Sequence, residues 1–239
     1  MSIAASAPLV SQSTQLVVEG ITRHAPAPLS DVSFTLSRGQ PAVLYSKDGS
    51  ANAVLRAVIG IDAVDAGSSR LGSVELTRRN GEIPVSRAEH IGLLLRDPIV
   101  ARGRTLIDHI AQGMASPQGL SHSQTLMQVS DSLGFRGADS AIVARLPKPL
   151  QYRVAIGRAI VGEPELIAAD DPYVELEPRE RHLLVALLQA VASEHEIGVL
   201  HATGDESVAL RSQFVVVIEG GSIVRELRGT REIQQHFGV

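Results

Sequence analysis

The sequence predicts an α/β fold built on one largely parallel sheet. Short apolar segments with strand character alternate with segments of helical spacing along most of the 239 residues, a pattern that favours parallel strands joined by helices. Hydrophobic residues make up 44% of the chain, which is enough to fill the core of one domain of this length. The absence of cysteine excludes disulfides, thiolate metal sites and cysteine nucleophiles.

The N-terminal part begins with a small, polar stretch and continues with strands. Residues 1–14 predict a loose arm, which leaves 15–239 as a single predicted domain. Apolar residues at helical spacing predict a helix over 51–59 that Gly60 ends, so that 41–60 form strand, loop and helix. The predicted strands of this part cover residues 15–18, 32–36, 41–45, 68–76 and 91–95.

Two helices in the middle of the chain interrupt the alternation. They are predicted over 105–114 and 121–133, between Pro98 and Pro147, so we expect a helical insertion at about 97–150. The alternation of helix and strand resumes after this block. The predicted elements are a helix over 151–161, a strand over 166–169, a helix over 178–192, a strand over 197–200, a helix over 206–210 and a strand over 214–218.

Lysine is nearly absent from this chain. The 22 basic residues are all arginines except Lys47 and Lys148, and neither lysine follows a glycine. An intact phosphate-binding loop of the GK[ST] type is therefore excluded. The formal net charge of −4 gives no reason to expect a nucleic-acid partner.

Several segments occur in a familiar order. Arg153-Val154-Ala155-Ile156-Gly157-Arg158, followed by Leu166-Ile167-Ala168-Ala169-Asp170-Asp171-Pro172, resembles the stretch between signature and Walker B in ATP-binding cassette (ABC) ATPases. Residues 44–61, 91–98 and 216–224 resemble the Walker A, Q-loop and closing hairpin of that family. The resemblance covers roughly residues 16–224. It implies a P-loop NTPase-like cassette whose largely parallel core sheet carries an N-terminal antiparallel β part and an inserted helical subdomain.

The resemblance also implies that the phosphate-binding loop is degenerate. Ala51 stands at the lysine position, Asn52 and Ala53 replace the hydroxyl residues, and Asp48 adds a negative charge where a polyanion would bind. A solvated strand-to-helix turn is the alternative for this stretch. The degenerate Walker A residues are Lys47, Asp48, Gly49, Ser50, Ala51, Asn52 and Ala53.

The signature position departs from the family as well. It contains Pro147, Lys148 and Pro149, and a proline has no N–H to offer a nucleotide held by a partner subunit. The alternative is a rigid start of a helix that only packs. If an anion is bound between two subunits, we expect Lys47 of one or Lys148 of the other to contact it.

Walker B is the best preserved motif. Asp170 matches the aspartate that orients Mg²⁺, so it is the metal residue only if Mg²⁺ is bound, and Asp171 replaces the catalytic glutamate with a shorter side chain. A plain cap of a strand end is the alternative. The remaining family positions hold Arg96 for the Q-loop glutamine, Gly204 for the switch histidine and, in a less certain register, His24 for the base-stacking aromatic.

Three further side chains lie near these positions. His201 precedes Gly204 by three residues and is more readily a packed histidine than a switch. Tyr45 and Tyr173 replace small residues, and one hypothesis is that they fill the nucleotide space.

The resemblance implies a catalytically degenerate cassette subunit of an ABC transporter-type complex. No catalytic residues and no cofactor are expected, although weak binding of ATP and Mg²⁺ is possible. The expected partners are a transmembrane permease and a second cassette, in a homo- or heterodimer, with Arg96, Arg102 and Arg104 facing acidic permease loops or forming a solvated basic loop. The alternatives are a weakly active ATPase with a rearranged site, in which Lys47 reaches a phosphate, and a soluble non-transport scaffold.

The expected location is the cytoplasm, at the inner face of the cell membrane through a permease. No apolar run approaches the roughly 18–20 residues that span a bilayer. The first residues lack the charged and apolar regions of a signal peptide.

Overall fold

A computed structural model describes residues 14–79, 87–98, 100–114, 120–172 and 174–239. The strands within these ranges are β1 (Thr14–Arg23), β2 (Leu29–Ser37), β3 (Pro41–Tyr45), β4 (Ala66–Leu71), β5 (Val74–Glu75), β6 (Ile91–Leu94), β7 (Leu166–Asp170), β8 (Gly198–Thr203), β9 (Phe214–Glu219) and β10 (Ser222–Arg228). The helices are α1 (Ser50–Val58), α2 (Arg87–His90), α3 (Leu106–Ala111), α4 (Leu120–Ser132), α5 (Lys148–Ile160), α6 (Pro178–His195), α7 (Glu206–Ala209) and α8 (Thr230–Phe237).

The larger sheet has six strands in the order β10-β9-β3-β8-β7-β6. All of its neighbouring pairs are parallel except β9 with β10, which form an antiparallel hairpin. The strands β3 and β7 are almost completely buried, as expected for strands covered by helices on both faces. The predicted α/β fold with a largely parallel sheet is therefore confirmed.

The smaller sheet is antiparallel and uses the N-terminal strands in the order β2-β1-β4-β5. It confirms the antiparallel β part that the family resemblance implies. The single strand expected over 68–76 is wrong, because the chain turns at Gly72 with a φ of 57° and returns as β5. Of the expected loose arm, only Thr14 lies within the described residues, where it begins β1.

The two faces of the larger sheet bury two separate cores. One core packs α1 between this sheet and the smaller sheet. The other core, on the opposite face, packs side chains of α5, α6, α7 and α8. Because neighbouring side chains of a strand point to opposite faces, Leu44 belongs to the first core and Tyr45 to the second.

The helices between β6 and β7 form the region where the insertion is expected. Thr105 begins α3 with a capping box closed by Asp108. The helix α5 begins at Lys148, three residues before its predicted start, because Pro149 suits the first turn of a helix. Gly92 lets β6 approach α5, since a Cβ there would lie 2.4 Å from the carbonyl oxygen of Ala159.

The last helix, α8, was not among the predicted elements. Only Ile233 is fully buried in it, and Phe237 packs half-buried against the same core. No helix among the described residues combines the length and apolar character needed to cross a membrane.

Candidate functional site

The predicted site residues collect at the carboxyl ends of the parallel strands. The loop 46–49 follows β3, Asp171 follows β7, Gly204 follows β8 and Arg96 follows β6. These four strands are neighbours in the sheet, so their ends meet at one edge. Open α/β sheets bind ligands at this edge, where neighbouring connections leave the sheet on opposite faces.

The Asp48 carboxylate takes up donors at the start of α1. Its Oδ1 accepts hydrogen bonds from the Ser50 amide at 2.9 Å and the Ser50 hydroxyl at 2.5 Å, and its Oδ2 accepts from the Gly220 amide at 2.9 Å. The bonds from Ser50 and then Gly220 lower the pKa of Asp48 to about 2. The loop therefore carries its own anion at a helix N-terminus.

A second side chain takes the next amide of the same helix. The buried Ser46 hydroxyl accepts a hydrogen bond from the Ala51 amide at 2.8 Å. Gly49 precedes the helix with a φ of 81°, a left-handed conformation that lets the chain fold back on Asp48. Lys47 points away, with its ammonium 3.9 Å from Glu206 and its side chain 76% exposed.

Asn52 and Arg56 approach Asp170, the predicted Walker B aspartate. The Asn52 side-chain amide donates to Asp170 Oδ1 at 2.6 Å, and an Arg56 nitrogen lies 4.0 Å from Asp170 Oδ2. Asp62 accepts from Arg56 at 3.0 Å and from the buried Arg23 at 3.0 Å. These five residues form one polar network that runs from β1 through α1 to β7.

Asp171 is held in a strained position. Its φ is 48°, its Oδ2 accepts from Arg96 at 2.9 Å and its Oδ1 accepts from the Thr203 hydroxyl at 3.0 Å. Burial raises the pKa of Asp171, assisted by the nearby Asp170, while the bond from Thr203 and the charge of Arg96 oppose that rise. The carboxylate at the catalytic position is thus already engaged on both oxygens.

Lys148, at the predicted signature position, is paired with carboxylates of this chain. Lys148 lies 2.7 Å from Asp97 and 2.8 Å from Glu175, and bonds to these two carboxylates raise its pKa. The hydroxyl of the buried Tyr152, one turn further along α5, donates to the carbonyl oxygen of Arg96. Pro147 and Pro149 flank Lys148 at the start of α5. The ion pairs of Lys148 join this helix to the segments that follow β6 and β7.

The remaining predicted positions lie apart or pack in the core. His24 is 84% exposed and binds Asp65 through its ring and its amide, at 2.6 and 2.7 Å. His201 is buried within β8, and burial lowers its pKa to about 4. Gly204 closely approaches the loop, because a Cβ there would lie 3.0 Å from the Ser46 carbonyl oxygen.

Tyr45 does not fill the space above α1. Its ring packs in the core on the other face of the sheet, edge-on to Phe237 with centroids 5.0 Å apart. This part of the hypothesis is wrong, because the last position of β3 points away from the face that carries α1. Tyr173, the other residue of the hypothesis, lies outside the described residues.

Three contributors to the site were missed in the sequence: Ser46, Arg56 and Thr203. Arg56 had a signal, because it follows Asn52 by four residues and therefore lies on the same face of α1. Ser46 and Thr203 had no such signal. Ser46 directly follows a predicted strand, and Thr203 lies three residues beyond another. Within the described ranges, no group of three or more carboxylate or histidine side chains could hold a metal ion.

No protein-family model matches the chain. Among curated proteins, it is 28% identical over 202 residues to the aliphatic sulfonates import ATP-binding protein SsuB 2 of Nocardia farcinica, covering 84% of this chain and 77% of that protein. It is also 28% identical over 203 residues to the energy-coupling factor transporter ATP-binding protein EcfA of Enterococcus faecium, covering 83% of this chain and 71% of that protein.

Solved structures are similar over nearly the full chain. The structure of cbiO1 from Clostridium perfringens, described as part of the ABC transporter complex cbiONQ, matches with a TM-score of 0.82 at 18% identity, covering 95% of this chain and 92% of that one. An ATP-binding cassette in its ADP conformation matches with a TM-score of 0.80 at 17% identity, covering 93% and 94%. At these identities the likeness concerns the fold alone.

Proposed function

We propose that this chain, which has the ATP-binding cassette fold and whose relatives support the ABC transporter cassette family, is a subunit that does not hydrolyse ATP. In this proposal it supports or regulates a transporter-type membrane complex by pairing with a second cassette and binding a permease. The relatives named above are ATP-binding proteins of import and energy-coupling transporters, which supports the transport context.

One observation carries the proposal: the groups that would bind a nucleotide phosphate are bonded to the chain itself. The Ser50 and Ala51 amides at the start of α1 donate to Asp48 and Ser46. A phosphate entering here must displace an ionised carboxylate without a lysine to offset the repulsion. Anion binding at a helix N-terminus depends on such amides and on positive charge. Here two of the amides are bonded within the chain, and position 51 holds an alanine.

The residues present do not fit Mg²⁺ either. A catalytic magnesium ion binds oxygen ligands and keeps several waters, whereas Asn52 presents its NH₂ group to Asp170 and Arg56 places a positive charge beside the same carboxylate. Asp170 therefore contacts a hydrogen-bond donor and a cation, where the ion would need further oxygen ligands. We therefore assign no step to ATP or Mg²⁺ in this chain.

Asp171 supports the same reading at the position of the general base. A general base must reach the attacking water within hydrogen-bond distance. The Asp171 side chain is one carbon shorter than glutamate, and both of its oxygens are bound by Arg96 and Thr203. A water-activating role would require breaking the ion pair with Arg96.

The decisive experiment compares nucleotide binding in the native chain and in a rebuilt loop. Isothermal titration with ATP and Mg²⁺ should give no measurable heat for the native chain. The triple variant Asp48→Gly, Ala51→Lys, Asn52→Ser should gain binding, because it frees the Ser50 amide, adds a cation at position 51 and restores a metal-facing hydroxyl.

ATP binding by the native chain would contradict the proposal. Tight ATP binding by the native chain, together with phosphate release that Asp170→Asn abolishes, would establish the rearranged ATPase instead. Binding without phosphate release would leave a nucleotide-regulated subunit and contradict the absence of a cofactor.

The proposed permease surface lies on the described part of the insertion. Arg102, Arg104 and Arg145 are exposed, and none forms an ion pair with another described residue. The Val143 amide donates to the Arg104 carbonyl oxygen at 3.3 Å, so the segments that carry Arg104 and Arg145 are adjacent. Unpaired arginines on neighbouring segments suit an acidic partner loop, and a permease would place this subunit at the inner face of the membrane.

A further inference from the structure

A groove runs along the sheet edge on the face opposite α1. Two cavities, of about 420 and 350 Å³, share Tyr45, Lys47 and Glu206 in their walls. The first extends towards the ends of β7 and β8, and the second extends between β9 and α8. We call the combined cavity, lined by these three residues with Glu219 and Phe237, the amine groove.

Aromatic rings are concentrated at this groove. The whole chain has three tyrosines, four phenylalanines and no tryptophan, yet Tyr45 and Phe237 meet edge to face here with centroids 5.0 Å apart. The His236 ring meets Phe237 in turn at 4.9 Å. The faces of aromatic rings attract organic cations, most strongly where water is partly excluded.

The Tyr45 hydroxyl has no hydrogen-bond partner among the described residues, although Tyr45 is only 4% exposed. A buried hydroxyl without a partner costs free energy that a ligand group can recover. Burial raises the pKa of Tyr45, and the nearby charges of Glu206 and Asp205 raise it further. The phenol therefore lies in a negative potential, which favours a positively charged ligand over an anionic one.

The acidic residues of the groove are not all neutralised within the chain. Asp205 pairs with Arg181, and Asp48 and Asp171 are engaged as described above. Glu219 forms no ion pair with another described residue, and Glu206 has only Lys47, at 3.9 Å. The Lys47 side chain is 76% exposed, so its ammonium rests loosely at the rim beside Glu206.

We propose that the amine groove binds a small organic molecule bearing a primary ammonium group, which takes the place of the Lys47 ammonium beside Glu206. The ligand cation donates to Glu206, lies against the half-buried Phe237 ring, and brings a donor to the Tyr45 hydroxyl oxygen. A second ammonium group of a diamine or polyamine can reach Glu219. Asp48, Asp171 and Gly204 of the candidate site also line the two cavities, so this inference rests on the proposed absence of a nucleotide there. ATP and spermidine are therefore titrated separately, so that either proposal can fail alone.

Spermidine is a suitable probe, titrated into the full chain by calorimetry at about 50 mM salt, where charge interactions are weakly screened. Two variants should move the affinity in opposite directions. Glu206→Gln should weaken binding about tenfold, whereas Lys47→Ala should tighten it a few-fold, because the internal competitor is gone. Glu194→Gln, an exposed change on α6, is the matched control and should leave the affinity unchanged.

Tyr45→Phe keeps the packing and removes only the hydroxyl, so it should fold and bind more weakly by a few-fold. Equal weakening by Glu194→Gln and Glu206→Gln would reduce the effect to general charge attraction and overturn the proposal. No tightening in Lys47→Ala would also overturn it. Nα-acetyl-lysine amide in parallel identifies the source: binding equal to that of spermidine indicates a lysine side chain of a protein, and much weaker binding indicates a free polyamine.

Discussion

At the scale of single residues, the proposed loss of phosphate binding depends most on one carboxylate. Asp48 accepts three hydrogen bonds that an anionic ligand would otherwise receive, from Ser50 and Gly220. Hydrogen bonds to an ionised carboxylate are stronger than hydrogen bonds to a neutral acceptor, so a ligand displaces Asp48 less easily. In the proposed function, Ala51 provides no charge that attracts a phosphate, and Asp48 competes with the phosphate for hydrogen-bond donors.

His201 carries a prediction about pH at this scale. Burial lowers its pKa from 6.5 to about 4, so the folded state keeps the ring neutral while the unfolded chain protonates it. The stability from this residue is fully present above about pH 6.5 and is lost as the pH falls towards 4. A shift of this size corresponds to about 3 kcal/mol of unfolding free energy.

Urea unfolding at pH 7, 5.5 and 4.5 measures this effect. The variant His201→Gln, which cannot titrate, should lose less stability than the native chain across that range. His195→Gln, an exposed change at the end of α6, serves as the control and should follow the native curve. If the unfolding free energy changed with pH by the same amount in all three proteins, the prediction would be contradicted.

At the scale of elements, polar contacts hold α1 against β7. Asn52 and Arg56 lie one turn apart on the same face of the helix and approach the same carboxylate. The contact joins residues 118 positions apart, so it fixes the helix against a distant strand. Local sequence patterns cannot predict it.

The Asn52–Asp170 contact is testable by a double-mutant cycle. Asn52→Ala should lower the unfolding free energy by about 1–2 kcal/mol, because a hydrogen bond to a partly buried carboxylate is lost. In the background of Asp170→Ala the same change should cost clearly less. Additive effects in denaturant titrations would show that the two side chains do not stabilise each other.

The elements themselves follow from the sequence to different degrees. The strand, loop and helix over residues 41–60 were predictable because β3 is continuously apolar and α1 has one apolar face. The turn at Gly72 was not predictable, because nine residues in which apolar and polar side chains alternate have the pattern of a single strand. Arg96 and Asp171 are 75 positions apart. Their pairing depends on β6 and β7 being neighbours in the sheet, which no local sequence pattern predicts.

At the scale of the whole molecule, charge is divided unequally along the chain. Residues 97–158 hold seven basic and four acidic side chains, although the chain as a whole has a net charge of −4. The excess positive charge therefore lies in the helical region between β6 and β7. An acidic partner would be steered towards that region, and the attraction would weaken with salt.

Association with membranes tests this asymmetry. In cells that carry the cognate permease, the chain should sediment with the membrane fraction, and the double variant Arg102→Gln, Arg104→Gln should lower that fraction several-fold at about 0.1 M salt. The difference should shrink at about 0.5 M salt. Arg225→Gln on β10 is the control, and equal solubility with and without the permease would contradict the proposed partner.

The network that joins Asn52, Arg56 and Asp62 to Asp170 has a consequence for engineering. A lysine introduced at position 51 alone would leave the Ser50 amide bonded to Asp48 and the Ala51 amide bonded to Ser46. A change of Asn52 alone would remove the hydrogen bond to Asp170 and leave Arg56 beside that carboxylate. A phosphate-binding loop would therefore have to be rebuilt by several changes made together.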